Sequence, residues 1–510
     1  MRQTLPNGLT LLVEENHAAP VVAIQVWVRV GSADELADEA GLAHLHEHML
    51  FKGTARRGPG EIARSIEACG GEINAWTSFD QTVYHVVLAS RFFAEGVDVL
   101  ADAVTSAAFD PDELKREIEV VCEEIKRSQD SPTRKLSREL FATSFARHPY
   151  GKPVIGTEES VRSFARDGIL KFYRRWYKPE NTVVVVVGDV RAQDAVDLVE
   201  KHFVFPPGPF EHAPQRPTEP RREEPVARLK REPLKEGYLS IAWPSPPMVH
   251  EDVAALDALS IVLGHGEASR LHRALKRDRL LCTEVQASCY TPVDPGLTII
   301  GLTLQPATVH EAVREAAERW IEPKAVVLAA LLPEAGDVGE ADLRALLDEA
   351  ARPPLQRQPR SLSAPEKRAP IRFSDSSQTG PLLREELPGG GVLLIKEERA
   401  VPLVALRAAW HGGLRAEDAS NAGINMLLAR LVSKGTRTRG PERLVREMEA
   451  IGGSLGGNAG RNSFGLRAEF LSRHLSEGFD VFAEAVAEPA FDPEEVQRER
   501  TLQIDELRSR

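Results

Sequence analysis

The sequence predicts an α+β protein of tandem repeated domains, each a mostly antiparallel sheet with helices packed on one side. Three observations predict it: an internal repeat, strand-like and helix-like periods alternating within each copy, and two proline- and charge-rich stretches that divide the chain. The repeat needs no gap. Leu5-Pro6-Asn7-Gly8 returns as Leu387-Pro388-Gly389-Gly390. The same spacing of 382 carries Lys52-Gly53-Thr54 to Lys434-Gly435-Thr436, Gly70-Gly71 to Gly452-Gly453, and Phe109-Asp110-Pro111 to Phe491-Asp492-Pro493.

Taken in order, residues 8–14 and 21–30 are β-branched apolar runs bounded by turn residues and predict strands. Residues 35–51 and 59–68 predict helices, the second stopped by Gly70-Gly71. Residues 72–77 and 81–89 predict two strands around a Ser78-Phe79-Asp80 turn. Helices are expected over 91–108, from Asp110-Pro111 to about 128, over 134–145 and over 161–173. The valine run 182–187 predicts a buried strand.

These elements make a first domain of residues 1–210. Residues 211–236 read as a linker. A second, shortened domain follows over 237–351, with strands at 237–243, 298–304 and 325–332 and helices at 251–263 and 269–276. Its residues 305–325 read as running straight from a helix into the closing strand. Residues 352–381 predict a second linker, and 382–510 a degenerate, incomplete copy of the first domain.

The chain of 510 residues carries 64 Lys+Arg against 76 Asp+Glu, a net charge of −12. That balance speaks against nucleic acid or an anionic membrane as partner. No apolar run approaches the roughly 20 residues that span a bilayer. The opening Met1-Arg2-Gln3-Thr4-Leu5-Pro6 has no apolar signal core. A cytoplasmic location is therefore expected, or a periplasmic one had a leader been trimmed. Cys69, Cys122, Cys282 and Cys289 form no CxxC pair and are expected to be buried, reduced thiols.

The chemistry is expected in His44-Leu45-His46-Glu47-His48. On a helix His44, Glu47 and His48 share one face, while His46 points about 200° away from His44. Two imidazoles on adjacent turns can grip one zinc ion, and a carboxylate beside them can take a proton from water. This is the inverted zinc motif HxxEH. A catalytic zinc needs a third ligand. The following long helix offers Glu113, Glu117, Glu119, Glu123 and Glu124. Glu117 and Glu124, two turns apart, share a face, and helical geometry leaves both open.

The stretch Ala40-Gly41-Leu42-Ala43-His44-Leu45-His46-Glu47-His48-Met49-Leu50-Phe51-Lys52-Gly53-Thr54 resembles the pitrilysin/insulinase family of inverted-motif zinc metallopeptidases, which includes the mitochondrial processing peptidases. Arg116 to Glu124, His148-Pro149-Tyr150-Gly151 and Tyr177-Lys178-Pro179-Glu180-Asn181 are similar to the family too. The resemblance makes Glu124 the third ligand and Glu117 the acidic residue supporting the site. It implies one Zn2+ per chain and makes Glu47 the general base. Gly70 to Thr77 resembles the family's active-site edge strand, which binds an extended peptide by backbone pairing. Asn74 and Ala75 are the candidates for substrate contact, and Phe79 and Tyr84 for lining the cleft.

Two departures stand out. At the repeat spacing His44 becomes Met426, Glu47 becomes Ala429 and His48 becomes Arg430, although Glu117 and Glu124 persist as Glu499 and Glu506. The third domain is therefore expected to serve as architecture. In the second domain, the resemblance places the family's substrate-binding Arg and Tyr on Lys276 and Thr283. Long members of the family arrange four such domains as a clamshell. The expected function is a zinc metalloendopeptidase acting on extended peptides or unfolded segments, as the N-terminal part of a longer enzyme. A downstream half or partner subunit would supply the facing wall. The alternatives are a non-catalytic, zinc-stabilised scaffold supporting an active partner, and hydrolysis of a non-peptide substrate.

Overall fold

The computed structural model describes residues 1–210, 215–305, 308–309, 311–313, 325–334, 337–350, 382–399 and 401–509. The first domain is a six-stranded sheet of β1 (Arg2–Thr4), β2 (Thr10–Glu15), β3 (Val21–Val28), β4 (Glu72–Thr77), β5 (Thr82–Ala89) and β6 (Thr182–Gly188). Its order is β1-β2-β6-β3-β5-β4, antiparallel throughout except for β2 against β6. β4 is an edge strand. Alternation decides which face is covered: Val22, Ile24, Val26 and Val28 of β3 are wholly buried while the intervening residues are not.

Helices α1 (Leu42–Leu50), α2 (Glu61–Ala68), α3 (Phe93–Ser106), α4 (Pro111–Asp130), α5 (Pro132–Ser144), α6 (Glu158–Ser163), α7 (Arg166–Trp176) and α8 (Ala192–His202) complete the domain. Leu45 and Met49 of α1, Val97 and Leu100 of α3, Phe172 of α7 and Val199 of α8 share one apolar core with the sheet.

Three expected elements are corrected. The helix expected from residue 35 begins only at Leu42, because the Glu35 carboxylate caps it from outside. Glu35 Oε2 accepts from the Gly41 amide (2.9 Å) and Oε1 from the Ala43 amide (2.8 Å). Gly41 sits at φ 93, where a Cβ would stand 2.6 Å from the Ile155 carbonyl oxygen. The helix expected over 161–173 is two helices, α6 and α7, separated by an extended backbone at Phe164 and Ala165. The stretch expected as a linker contains strand β7 (Val226–Glu232). Its alternation of apolar and charged residues is that of an edge strand with one wet face, which composition alone reads as a linker. Helix α8 and strand β9 (Glu284–Tyr290) were not expected.

In the second domain β7 and β9 join β8 (Gly237–Ser245), β10 (Gly296–Leu304) and β11 (Val327–Pro333) in the order β7-β11-β8-β10-β9. Helix α9 (Val253–Gly264) and a π-helical turn at His272–Arg277 follow β8. The direct run expected over 305–325 and the second linker lie largely outside the described residues.

The third domain repeats the register of the first. Its strands are β12 (Leu382–Glu386), β13 (Val392–Lys396), β14 (Leu403–His411), β15 (Ser454–Ala459) and β16 (Ser463–Leu471). Arg2 faces Leu12, and Arg384 faces Leu394. Val21 faces Ala89, and Leu403 faces Leu471. Glu72 faces Val87, and Ser454 faces Glu469. Local detail repeats as well. Thr54 Oγ1 donates to Asp102 Oδ2 (2.7 Å) and Thr436 Oγ1 to Glu484 Oε1 (2.6 Å). Phe109 and Phe491 both hold φ at 47. The fold is thus α+β with repeated domains, as the sequence predicts. Cys122 and Cys282 are buried free thiols, whereas Cys69 and Cys289 are only half-buried. Among the described residues no helix is long and apolar enough to cross a membrane.

Candidate metal centre

Helix α1 lies between the sheet and α4. Its buried line of Leu42, Leu45 and Met49 turns His44, Glu47 and His48 toward α4 and the edge strand β4. The His44 and His48 rings sit 4.7 Å apart. His46 points the other way. It is fully buried among Phe109, Phe172, Tyr173 and Tyr177, and that burial pushes its imidazole down to about 3. It is a neutral core residue and takes no part in the site.

Helix α4 is started by Asp110, whose Oδ1 accepts from the Asp112 and Glu113 amides. It brings both open candidates alongside α1, at different depths. Glu117 is buried, and its Oε1 lies 2.8 Å from His48 Nδ1. Its Oε2 lies 2.6 Å from Lys52 Nζ. One turn-pair further on, Glu124 is half-buried. Its Oε2 stands 3.9 Å from His44 Nε2 and 3.7 Å from His48 Nε2. These separations are too long for hydrogen bonds. They are close to those of ligands sharing one small cation, with metal–ligand distances of about 2.1 Å. Among the described residues His44, His48 and Glu124 form the one group of three such side chains with ligand atoms all within 4.8 Å of one another.

The electrostatics suit that grouping. Burial, then the neighbouring His48, pushes His44 down to about 3, so its imidazole is neutral. Burial pulls His48 down too, but the Glu117 hydrogen bond and the surrounding carboxylates outweigh it and leave it raised. With Glu117 accepting from Nδ1–H, it is Nε2 of His48 that is turned toward Glu124. Burial works against the Glu117 carboxylate, yet the bonds from His48 and Lys52 hold it below its ordinary value. Once His48 gives up its Nε2 proton to a cation, two imidazoles and a carboxylate, with no fourth protein ligand among the described residues, are the donor set of a zinc site with an open position.

Glu47 is half-buried, and burial raises its carboxyl against the opposing hydrogen bond from Thr77. Thr77 Oγ1 donates to Glu47 Oε2 at 2.5 Å. Thr77 ends β4, on the same face of the strand as Ile73 and Ala75. Asn74 is exposed on the other face, and its Oδ1 accepts from the Ala75 amide (2.8 Å). Both expected substrate contacts therefore lie on the free edge strand.

Of the two aromatic candidates for the cleft, Tyr84 has no exposed surface and Phe79 is half-buried at the domain junction. Phe79 packs on Phe141, Tyr150 and Tyr290, in the cluster joining the first and second domains. The turn that carries it is clasped by Arg216, which bonds Asp34, Asp80 and Asp294. Tyr84 is wholly buried with its hydroxyl 2.6 Å from that of Tyr177. Sequence reasoning passed over Lys52 and Thr77. Lys52 had a signal, since it stands four residues after His48 and recurs as Lys434 beside Glu499 (3.4 Å).

A family model described as insulinase (peptidase family M16) matches residues 10–158 and again 393–509, one stretch in each copy of the repeat. The chain belongs to peptidase family M16. A second model, described as the M16 inactive domain, matches residues 163–324. This M16 chain is 35% identical to an uncharacterized zinc protease of Mycobacterium leprae, over 58% of this chain and 67% of that one. It is 33% identical to the uncharacterized zinc protease YmxG of Bacillus subtilis, over 59% and 73%. A solved protease from Helicobacter pylori is similar at a TM-score of 0.59 and 26% identity, covering 69% of this chain and 84% of that one. The periplasmic protease PqqL from Escherichia coli shares the fold at a TM-score of 0.57 and 15% identity, covering 96% and 66%.

Proposed function

We propose that the chain is a zinc-dependent metalloendopeptidase acting on extended peptides or unfolded protein segments, with one Zn2+ held by His44, His48 and Glu124. The observation that carries this reading is the convergence of those three side chains within 4.8 Å, on two helices, with a carboxylate of the same helix beside them. A zinc ion there would polarise the scissile carbonyl and acidify water. Glu47 takes the proton from the attacking water and returns it to the leaving amine. Glu117 fixes the His48 tautomer and ring orientation, and Lys52 balances its charge. The edge of β4 receives the peptide backbone, with the Ala75 amide exchanging its Asn74 partner for a peptide carbonyl. The test is cleavage of quenched peptides with and without a chelator, beside metal analysis. Activity that survives complete metal removal overturns the reading.

The non-catalytic scaffold has one observation in its favour. Lys276 and Thr283 line a cavity of about 610 Å³ with Arg430, Lys434 and Glu499 of the degenerate centre. Thr283 spends its hydroxyl on Glu236 and the Thr303 carbonyl. We therefore assign the peptidase a second wall, supplied by a further half or partner subunit. The ferredoxin protease FusC, solved with Arabidopsis ferredoxin, is similar in fold at a TM-score of 0.51 and 17% identity, and 68% of that chain is covered.

A further inference from the structure

We propose that Thr77 is a positioning residue for Glu47: its hydroxyl holds one carboxylate oxygen in place so that the other faces the attacking water. This rests on the peptidase reading above. Three observations carry it.

The first is geometric. Thr77 Oγ1 to Glu47 Oε2 is 2.5 Å, and Thr77 is the hydrogen-bond partner of that carboxylate among the described residues. A glutamate on a helix surface keeps three rotatable bonds, and one fixed oxygen removes most of that freedom. Oε1 is left to accept the water proton. The O–H bond of water breaks, the proton passes to Oε1, and the oxygen bonds to the carbonyl carbon. The same proton then goes to the leaving nitrogen as the C–N bond breaks. The Thr77 proton stays on its own oxygen throughout.

The second is that Thr77 stands on a rigid platform. It faces Thr82 across the hairpin, and the turn between them is held by Ser78 N to Gln81 O (2.9 Å). Two amides of the opposite loop also grip that turn, Ser32 N to Ser78 O (3.1 Å) and Ala33 N to Phe79 O (2.8 Å). A hydroxyl so placed can dictate where a flexible carboxylate lies.

The third comes from the repeat. In the third domain Glu47 becomes Ala429, and Thr77 becomes Ala459. Framework contacts survive there: Glu35 as Glu417, which still caps its helix, and Thr54 as Thr436. The copy that lost the base also lost the hydroxyl that grips it. Because β4 is the proposed peptide-binding edge, the contact also ties the base to the strand on which substrate lies.

The experiment compares zinc-loaded wild type, Thr77→Val and Thr77→Ser by crystal structure, zinc content and peptide turnover. Thr77→Val should keep full zinc but spread the Glu47 carboxylate over several rotamers. It should lower kcat about tenfold with KM within about twofold, the scale of one hydrogen bond to a charged group. Thr77→Ser should restore both. Thr77→Val with Glu47 ordered in its wild-type position overturns the proposal, and that readout decides even where wild-type turnover is too slow to measure. Glu47→Gln serves as the control. Turnover that survives complete metal removal sinks the zinc-peptidase reading itself, and turnover retained in Glu47→Gln shows that another group is the base. Turnover lost there but unchanged in Thr77→Val sinks only the role of Thr77.

Discussion

His48 Nδ1 and Glu117 Oε1 stand 2.8 Å apart, and the other oxygen of the same buried carboxylate holds Lys52. One side chain of α4 thereby sets the tautomer of an α1 imidazole and is itself charge-balanced from the turn that follows α1. Replacing Glu117 by Gln should weaken zinc binding about 10–100-fold, as loss of such an outer partner does. Glu124→Gln should weaken it further. Competition against a chelator of known affinity measures both. If Glu117→Gln releases zinc and Glu124→Gln retains it, the third ligand has been misassigned.

Metal analysis of zinc-loaded protein should give one zinc per chain. The third domain offers Met426 and Arg430 where the first has His44 and His48, and Arg430 Nη1 lies 4.0 Å from Glu499. A guanidinium there opposes a cation. Two zincs per chain, or none, would contradict this, and His48→Ala should bring the content toward zero.

Much of this site was legible because a helix fixes its own spacing. His44, Glu47 and His48 share a face on any α-helix that includes them. The choice between Glu117 and Glu124 was not legible from geometry. They share a face of α4, and their difference is depth: Glu117 lies under α1 while Glu124 is at its rim. Depth follows from how two helices pack, which periodicity does not encode. The surroundings of the aromatics were not legible for a similar reason. Phe79 and Tyr84 are on or beside the right strands, but their neighbours come from Phe141, Tyr177 and Tyr290, far along the chain. The start of α1 was misread because its cap, Glu35, reaches it through a loop. The register of the third domain, by contrast, was fully written in the gapless repeat.

Glu47→Gln should bind zinc normally and lose peptide hydrolysis by at least about a hundredfold, since the amide keeps the shape but cannot accept a proton. The Thr77 hydroxyl can still donate to the amide oxygen, so the fold around it should not change. Near-normal turnover in this variant would show that another group is the base.

Stability should fall in acid partly through Asp98. Burial works against its carboxylate, but Arg56 and Arg57 bond it and bring it down to about 2. Its value in the unfolded chain is about 3.9. A depressed carboxylate stabilises the fold above the unfolded value, and that contribution is lost as pH falls from about 4 to about 2. Asp98→Asn should therefore lower Tm at pH 7, with the deficit shrinking across that window. The effect is modest because Arg56 is exposed. A deficit independent of pH between 7 and 2 would show that packing, and not charge, is what the variant removes.

The chain by itself should cleave peptides slowly. An oxyanion forming at the scissile carbonyl needs a donor besides the metal. The resemblance to the family places that Arg/Tyr pair where this chain has Lys276 and Thr283. Thr283 is engaged within its own sheet, and both residues line a cavity shared with the degenerate third-domain centre. Loss of one such donor costs on the order of a hundredfold in turnover. A peptide paired to β4 alone is also held on one side, so its carbonyl is poorly oriented toward Glu47. Adding a partner half that bears an Arg and a Tyr seven residues apart should raise kcat by at least that factor while leaving zinc content at one per chain. Fast cleavage by the 510-residue chain alone, with no gain on supplementation, would show that the site is complete within this polypeptide and that its oxyanion donor lies elsewhere on the first domain.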